Sequence, residues 1–261
     1  MASSDAPISI GHVTLTVNDL DRVGDFYTRV LGLEPLTRDG ETAQFGADGR
    51  LLVALEKDAA ARHHPYEAGL FHTAFLLPSR AALGGWLTHA RDLGLRLDGA
   101  SDHLVSEALY LRDPEGNGIE IYWDRPRSEW QVSGDEIAMN TLPLDLMALA
   151  EAATPWNAAP SGTVIGHVHL QVGDVAAMDS FATETLGATK TFGMAAAGWY
   201  GWGGYHHHIA GNVWNSRGAE TRSADSRGLK EVGLIATDPA GLPDTLTDPW
   251  GTRFTLSNQP A

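Results

Sequence analysis

The sequence predicts an α+β fold of four β-α-β-β-β units, the fourth truncated. Three observations carry this reading. The stretch "IGHVTLTVNDLDRVGDFYTRVLGL" (10–33) aligns without gaps on "IGHVHLQVGDVAAMDSFATETLGA" (165–188), with 11 of 24 positions identical, and self-similarity of this kind marks an internally repeated fold. Each copy starts with alternating apolar residues, passes into a helical pattern and stops at a glycine, Gly32 or Gly187. Short apolar segments of strand character then follow each copy.

In chain order, unit one continues with the strands "TAQFG" (42–46) and "RLLVALEK" (50–57). Unit two opens with the strand "GLFHTAFLLPS" (69–79), then has the helix "RAALGGWLTHARDLG" (80–94) and the strands "EALYLR" (107–112) and "GIEIYW" (118–123). Unit three has the second copy of the repeat, then "GWYGWGG" (198–204) and "YHHHIAGNVW" (205–214). Unit four opens with "GLKEVGLIATD" (228–238) and keeps only a last strand, "DPWGTRFTLS" (248–257), which matches "DPEGNGIEIY" (113–122). Residues 1–124 thus hold the first pair of units and 164–261 the second pair, its last member incomplete. The Pro- and Ala-rich stretch 125–163 is a connection with a helical turn expected around "LDLMALAEAA" (144–153).

Composition excludes several classes of function. The formal charge is −15, where a nucleic-acid-binding protein would present a basic face, and an anionic membrane surface is disfavoured for the same reason. With no cysteine, thiolate nucleophiles, disulfides and cysteine-ligated metal sites are absent. The N-terminus "MASSDAPISI" lacks the basic-then-apolar pattern of a secretory leader. No apolar run approaches the about 18 residues of a membrane span. The expectation is a soluble, cytoplasmic protein.

Paired β-α-β-β-β units resemble the vicinal-oxygen-chelate superfamily: glyoxalase I, fosfomycin- and bleomycin-resistance proteins, and extradiol ring-cleavage dioxygenases. The resemblance implies units paired into curved, cup-like mixed sheets around one divalent metal. It also implies a histidine ligand from the first strand of each paired unit and a glutamate from a last strand. His72 opens unit two, and Glu120 lies in its last strand between Ile119 and Ile121. The stretch "SDHLVSEALYLRDPEGNGIE" (101–120) is similar to the extradiol signature, with His103, Leu109, Tyr110, Asp113, Pro114, Gly116 and Glu120 in place and Ser101 departing from it. Two histidines and a carboxylate suit Fe(II), Mn(II) or Zn(II) and leave positions open for substrate and O2.

The third ligand that the resemblance implies is either His12 or His167, because both follow a glycine in equivalent strands. The extradiol resemblance further implies an acid–base histidine in a histidine–any–aliphatic–alanine stretch of the last strand of the partner unit. Unit one's "RLLVALEK" has no histidine, whereas His207-His208-Ile209-Ala210 of unit three matches. That favours pairing of units two and three, with His167 as ligand; pairing of one and two would use His12. In the remaining pair, Glu231 and Thr255 stand where His72 and Glu120 stand, so a vestigial site is expected there.

Adjacent residues in one strand alternate faces, so His207 alone of the triplet is assigned chemistry. His206 and His208 are expected to face away from it. His169 shares the face of His167, while His63, His64 and His89 read as surface residues. The resemblance is strongest to bacterial type I catechol 2,3-dioxygenases. It implies Fe(II), with Mn(II) as the alternative, held by His72, Glu120 and His167. It further implies acid–base work by His207, and His103 and Tyr110 bonding the oxygens of a small aromatic diol that O2 cleaves. A glyoxalase-like or fosfomycin-resistance-like metal enzyme without oxygen chemistry, and a metal-free bleomycin-resistance-type binding protein, are the alternatives. No nucleic-acid or membrane partner is expected, and a homo-oligomer is left open.

Overall fold

Asp19 and Asp174, equivalent in the repeat, each cap a helix by accepting the backbone N–H three residues on (Arg22 N at 3.0 Å, Ala177 N at 2.8 Å). Gly32 and Gly187 end the two helical segments with φ of 69° and 67°, left-handed values that a side chain would disfavour. The repeat is therefore structural as well as sequential. The computed structural model describes residues 6–237 and 242–258. Residues 1–5, at the start of the N-terminal stretch read above, and Asp238, at the end of unit four's predicted first strand, lie outside the described residues.

Unit one comprises β1 (Ile8–Val17), α1 (Leu20–Leu31), β2 (Glu34–Arg38), β3 (Thr42–Ala47) and β4 (Arg50–Lys57). Unit two comprises β5 (Gly69–Leu76), α2 (Arg80–Asp92), β6 (Gly99–Asp102), β7 (Ser106–Arg112) and β8 (Gly118–Asp124). The connection carries a 3-10 turn, the small hairpin β9 (Val132–Ser133) and β10 (Glu136–Ile137), then β11 (Leu142–Pro143) and α3 (Leu146–Glu151). Unit three comprises β12 (Val164–Gln171), α4 (Val175–Ser180) running into a π-helical turn (Phe181–Thr185), β13 (Thr189–Met194), β14 (Ala197–Gly201) and β15 (Ile209–Asn212). Unit four has β16 (Gly228–Ala236), β17 (Thr245–Thr247) and β18 (Arg253–Ser257).

The units interleave. One sheet has the order β17-β18-β16-β1-β4-β3-β2, and the other β11-β6-β7-β8-β5-β12-β15-β14-β13. Units one and four thus share one curved mixed sheet and units two and three the other, so each sheet takes one unit from either side of the connection. At the centre of each, two first strands run antiparallel: β1 with β16, and β12 with β5. Their apolar faces meet in one core that includes Val13 and Leu15 of β1 and Val168 and Leu170 of β12.

Both copies of the repeat carry the same irregularity. Register slips between Ile10 and His12 in β1, and between Ile165 and His167 in β12, leaving Gly11 and Gly166 as the bulged residues. A bulge re-aims the side chain that follows it, here a histidine in both strands. Gly166 has a second reason to lack a side chain, since a β-carbon there would sit 1.7 Å from the Tyr122 hydroxyl.

The histidine triplet departs from the sequence expectation. β15 begins only at Ile209, so the three histidines precede the assigned strand. Gly203 and Gly204, with φ of 60° and 69°, form a tight turn closed by Tyr205 N–H on Trp202 O at 3.1 Å, as tight hairpin turns require. Strict alternation does not govern residues 205–208, and all three histidines are buried.

Candidate metal centre and cavity

Three strands bring the donor atoms together. His167 on β12 and Glu120 on β8 are both register partners of Ala74 on the intervening β5. His72, two residues before Ala74 on β5, projects on the same face. The alanine leaves room above it for the longer chains to converge. Ile119 and Ile121 point the other way, into the main core, so the pleat turns Glu120 toward the cup.

His72 Nε2 lies 3.0 Å from Glu120 Oε2, His167 Nε2 lies 3.2 Å from the same oxygen, and the two Nε2 atoms are 3.3 Å apart. Adjacent ligands about 2.1 Å from a metal at right angles are about 3 Å from one another, so the triangle has the size a divalent ion needs. Among the described residues this is the one cluster of at least three His, Cys, Asp or Glu suited to a metal. All three residues are buried. Their nitrogen and oxygen donors fit iron, manganese or zinc, and the absence of sulfur argues against softer ions.

The electrostatics suit ligation. Burial raises the Glu120 pKa, but the neighbouring imidazoles of His167 and His72 outweigh it and hold the carboxyl well below its usual range. Burial, partly opposed by Glu120, pushes His167 down to about 4. Burial is also the largest cause holding His207 and His169 well below the ordinary imidazole value, with neighbouring histidines adding to it. At neutral pH the site offers the Glu120 carboxylate and a neutral His167 ring, the forms that bind metals.

Other side chains flank this triangle in sheet order. On the β7 side, Tyr110 is the cross-strand partner of Glu120. His103 Nδ1 lies 2.7 Å from the carbonyl of Asn140, which only accepts, so Nδ1 carries the proton. His103 Nε2 therefore accepts from the Tyr110 hydroxyl at 2.6 Å. On the β12 side, the His207 ring packs against His167 with centroids 4.1 Å apart and planes inclined by 47°. Tyr110, Glu120, His72, His167 and His207 thus follow one another across the sheet.

These groups line a cavity of about 460 Å³, in the range of small-molecule sites. Phe71, Phe192, Trp199 and Trp214 give it an aromatic wall, and Met139 and Asn140 of the connection close another side. His169 belongs to the aromatic wall: its ring packs on Phe71, His72 and Trp214, and its Nε2 accepts from Asn212 Nδ2 at 3.0 Å.

His12 stands in the other sheet, apart from His72 and Glu120. Its Nε2 is 3.7 Å from Glu231, whose carboxylate also accepts from Thr255 Oγ1 at 2.8 Å and pairs with Arg253 at 3.2 Å. A guanidinium thus satisfies the carboxylate at the equivalent position of that sheet. His64 pairs with Asp225 at 3.1 Å and His89 bonds the Arg29 carbonyl at 3.0 Å, both away from the cavity.

Sequence reasoning missed three contributors. His206, expected to face away, has its Nδ1 2.8 Å from His207 Nδ1 and its Nε2 2.8 Å from Asp124. Asp124 was legible in principle, since it follows Glu120 by four residues on one strand and shares its face. Asn140 lies in the connection and had no signal.

Paired β-α-β-β-β units forming a cup around a His–His–Glu triangle are the architecture of the glyoxalase/bleomycin resistance protein/dioxygenase superfamily, and this chain belongs to it. The profile of that superfamily matches residues 9–121. A catechol-2,3-dioxygenase of Bacillus subtilis (strain 168) is 40% identical over 238 residues, which is 88% of this chain and 83% of that protein. Biphenyl-2,3-diol 1,2-dioxygenase 3 of Rhodococcus globerulus is 30% identical over 161 residues, 55% of this chain and 80% of its own. Among solved structures, glyoxalase I from Zea mays shares the fold, with a TM-score of 0.58 at 14% identity, covering 97% of this chain and 93% of its own. No helix of the described residues is long and apolar enough to cross a membrane.

Proposed function

We propose that this protein is an extradiol dioxygenase that opens a catechol-type ring with O2 at an Fe(II) centre held by His72, Glu120 and His167. The observation that carries the reading is the flanking of the triangle by two proton-handling groups, the His103–Tyr110 pair on one side and His207 on the other. A glyoxalase-like or fosfomycin-type activity needs only the triangle. Similarity to a catechol-2,3-dioxygenase over most of the chain supports the same reading.

When bound, the metal would hold both diol oxygens and lower the pKa of their hydroxyls. The rest falls to the chain. Tyr110 has committed its proton to His103, so its oxygen is left to accept from one diol hydroxyl. His207, kept neutral by burial, takes a proton from the diol and returns it as the ring opens; positioned acid–base groups of this kind contribute about 10² to 10⁴ in rate. The aromatic wall of Phe71, Phe192, Trp199 and Trp214 stacks the ring, excludes water and leaves space for an apolar substituent.

The test is O2 uptake and formation of a yellow ring-fission product after Fe(II) loading under reducing conditions, across catechols with and without apolar substituents. Consumption of one O2 per diol is expected. No uptake with any diol overturns the reading.

A further inference from the structure

Glu120, Tyr122 and Asp124 are residues i, i+2 and i+4 of β8, so one face of a single strand carries all three side chains toward the site. Asp124 ends the strand and stands behind the histidine triplet. Its Oδ1 accepts from His206 Nε2 at 2.8 Å and its Oδ2 accepts from the Tyr205 hydroxyl at 2.8 Å. With the Tyr205 proton committed there, the Tyr122 hydroxyl donates to the Tyr205 oxygen at 2.7 Å.

His206 is fully buried, with Tyr205 and Trp130 packed against its ring at centroid distances of 4.1 and 5.2 Å. A neutral imidazole that donates from Nε2 has its lone pair on Nδ1, and His206 Nδ1 lies 2.8 Å from His207 Nδ1. Two lone pairs do not face each other at that distance, so with His206 as a neutral ring the proton between the rings belongs to His207. Its remaining nitrogen, Nε2, then carries a lone pair, and His207 lines the cavity.

We propose that Asp124 and His206 are positioning residues that fix His207 with its proton on Nδ1 and its lone pair on Nε2, ready to accept a diol proton. In that step the diol O–H bond breaks as the Nε2–H bond forms. The carboxylate sets the first ring's tautomer and that ring sets the second, as outer partners commonly do for working histidines. The base role rests on the dioxygenase reading; the tautomer does not.

Two measurements test this. In zinc-loaded, ¹⁵N-histidine-labelled protein, two-bond ¹H–¹⁵N spectra, assigned with a His207→Phe variant, report the His207 tautomer. A pyrrole-type Nδ1 and pyridine-type Nε2 are expected, and the reverse overturns the proposal. In Fe(II)-loaded protein, His206→Leu is expected to lower kcat about 10- to 100-fold, the usual cost of losing such a partner, with KM and metal content within about twofold of wild type. His206→Asn, which restores an acceptor toward His207 Nδ1, is expected to recover most of the loss. Unchanged kcat in His206→Leu, or equal impairment of both variants, overturns the proposal. Should His206→Leu not fold, Asp124→Ala is read by the same spectra, and an unaltered His207 tautomer there counts against it. A wild type inert toward every diol defeats the dioxygenase reading, while the spectra still decide the tautomer.

Discussion

His167 and Glu120 lie on strands that do not touch, yet their donor atoms are 3.2 Å apart because Ala74, on the strand between, is in register with both. The triangle therefore depends on the small residue at its centre as well as on the ligands. Ala74→Leu is expected to push the two chains apart and abolish metal binding. Isothermal titration with zinc measures this, and full stoichiometry in a folded variant would contradict it.

The triangle separates two histidines that occupy equivalent positions in the repeat. His167→Ala and Glu120→Ala are each expected to weaken metal affinity by more than the about 10- to 100-fold typical of an outer partner. His12→Ala, in the sheet where Arg253 engages Glu231, is expected to leave it unchanged. Metal analysis after dialysis against a competing chelator reads both.

His207 packs against His167 without belonging to the triangle. His207→Phe should keep the metal and lose turnover by about 10² to 10⁴. Retained activity at full metal content would place the acid–base work elsewhere.

Burial of neutral histidines makes stability depend on pH. His167 titrates at about 4 in the folded chain, and His169 and His207 are also depressed, whereas an unfolded histidine titrates near 6.5. Between about pH 6.5 and 4 the unfolded chain binds more protons, so stability falls as pH falls. His167 adds up to about 1.4 kcal/mol per pH unit across that window, and His169 and His207 act in the same direction. Urea midpoints of metal-free protein at pH 7, 6 and 5 should decline in that order.

Gly166 is predicted to admit no side chain. The alanine β-carbon would lie 1.7 Å from the Tyr122 hydroxyl and 3.2 Å from Leu76 Cβ, and overpacking of this kind costs about 1–3 kcal/mol. Thermal unfolding of Gly166→Ala tests it, and Tyr122→Phe in the same chain is expected to return part of the loss.

The local order of the chain was legible because it is local physics. The repeat with its Asp caps and Gly stops, the alternation that turns Glu120 opposite to its isoleucine neighbours, and the resemblance carried by residues 101–120 all lie within short stretches of chain. Three things were decided only in three dimensions. Position in the repeat makes His12 and His167 equivalent, and the sequence preferred His167 only through the match at His207; the pairing of β12 with β5 is what puts His167 beside His72. Alternation predicted that His206 would turn from His207, but a glycine turn precedes the strand and lets the two rings meet. The third is the cavity wall, drawn from units two and three and from the connection. Periodicity reports which face a residue takes within its own strand. Which strand comes to lie alongside it depends on how two sheets share one core, and no window of sequence contains that.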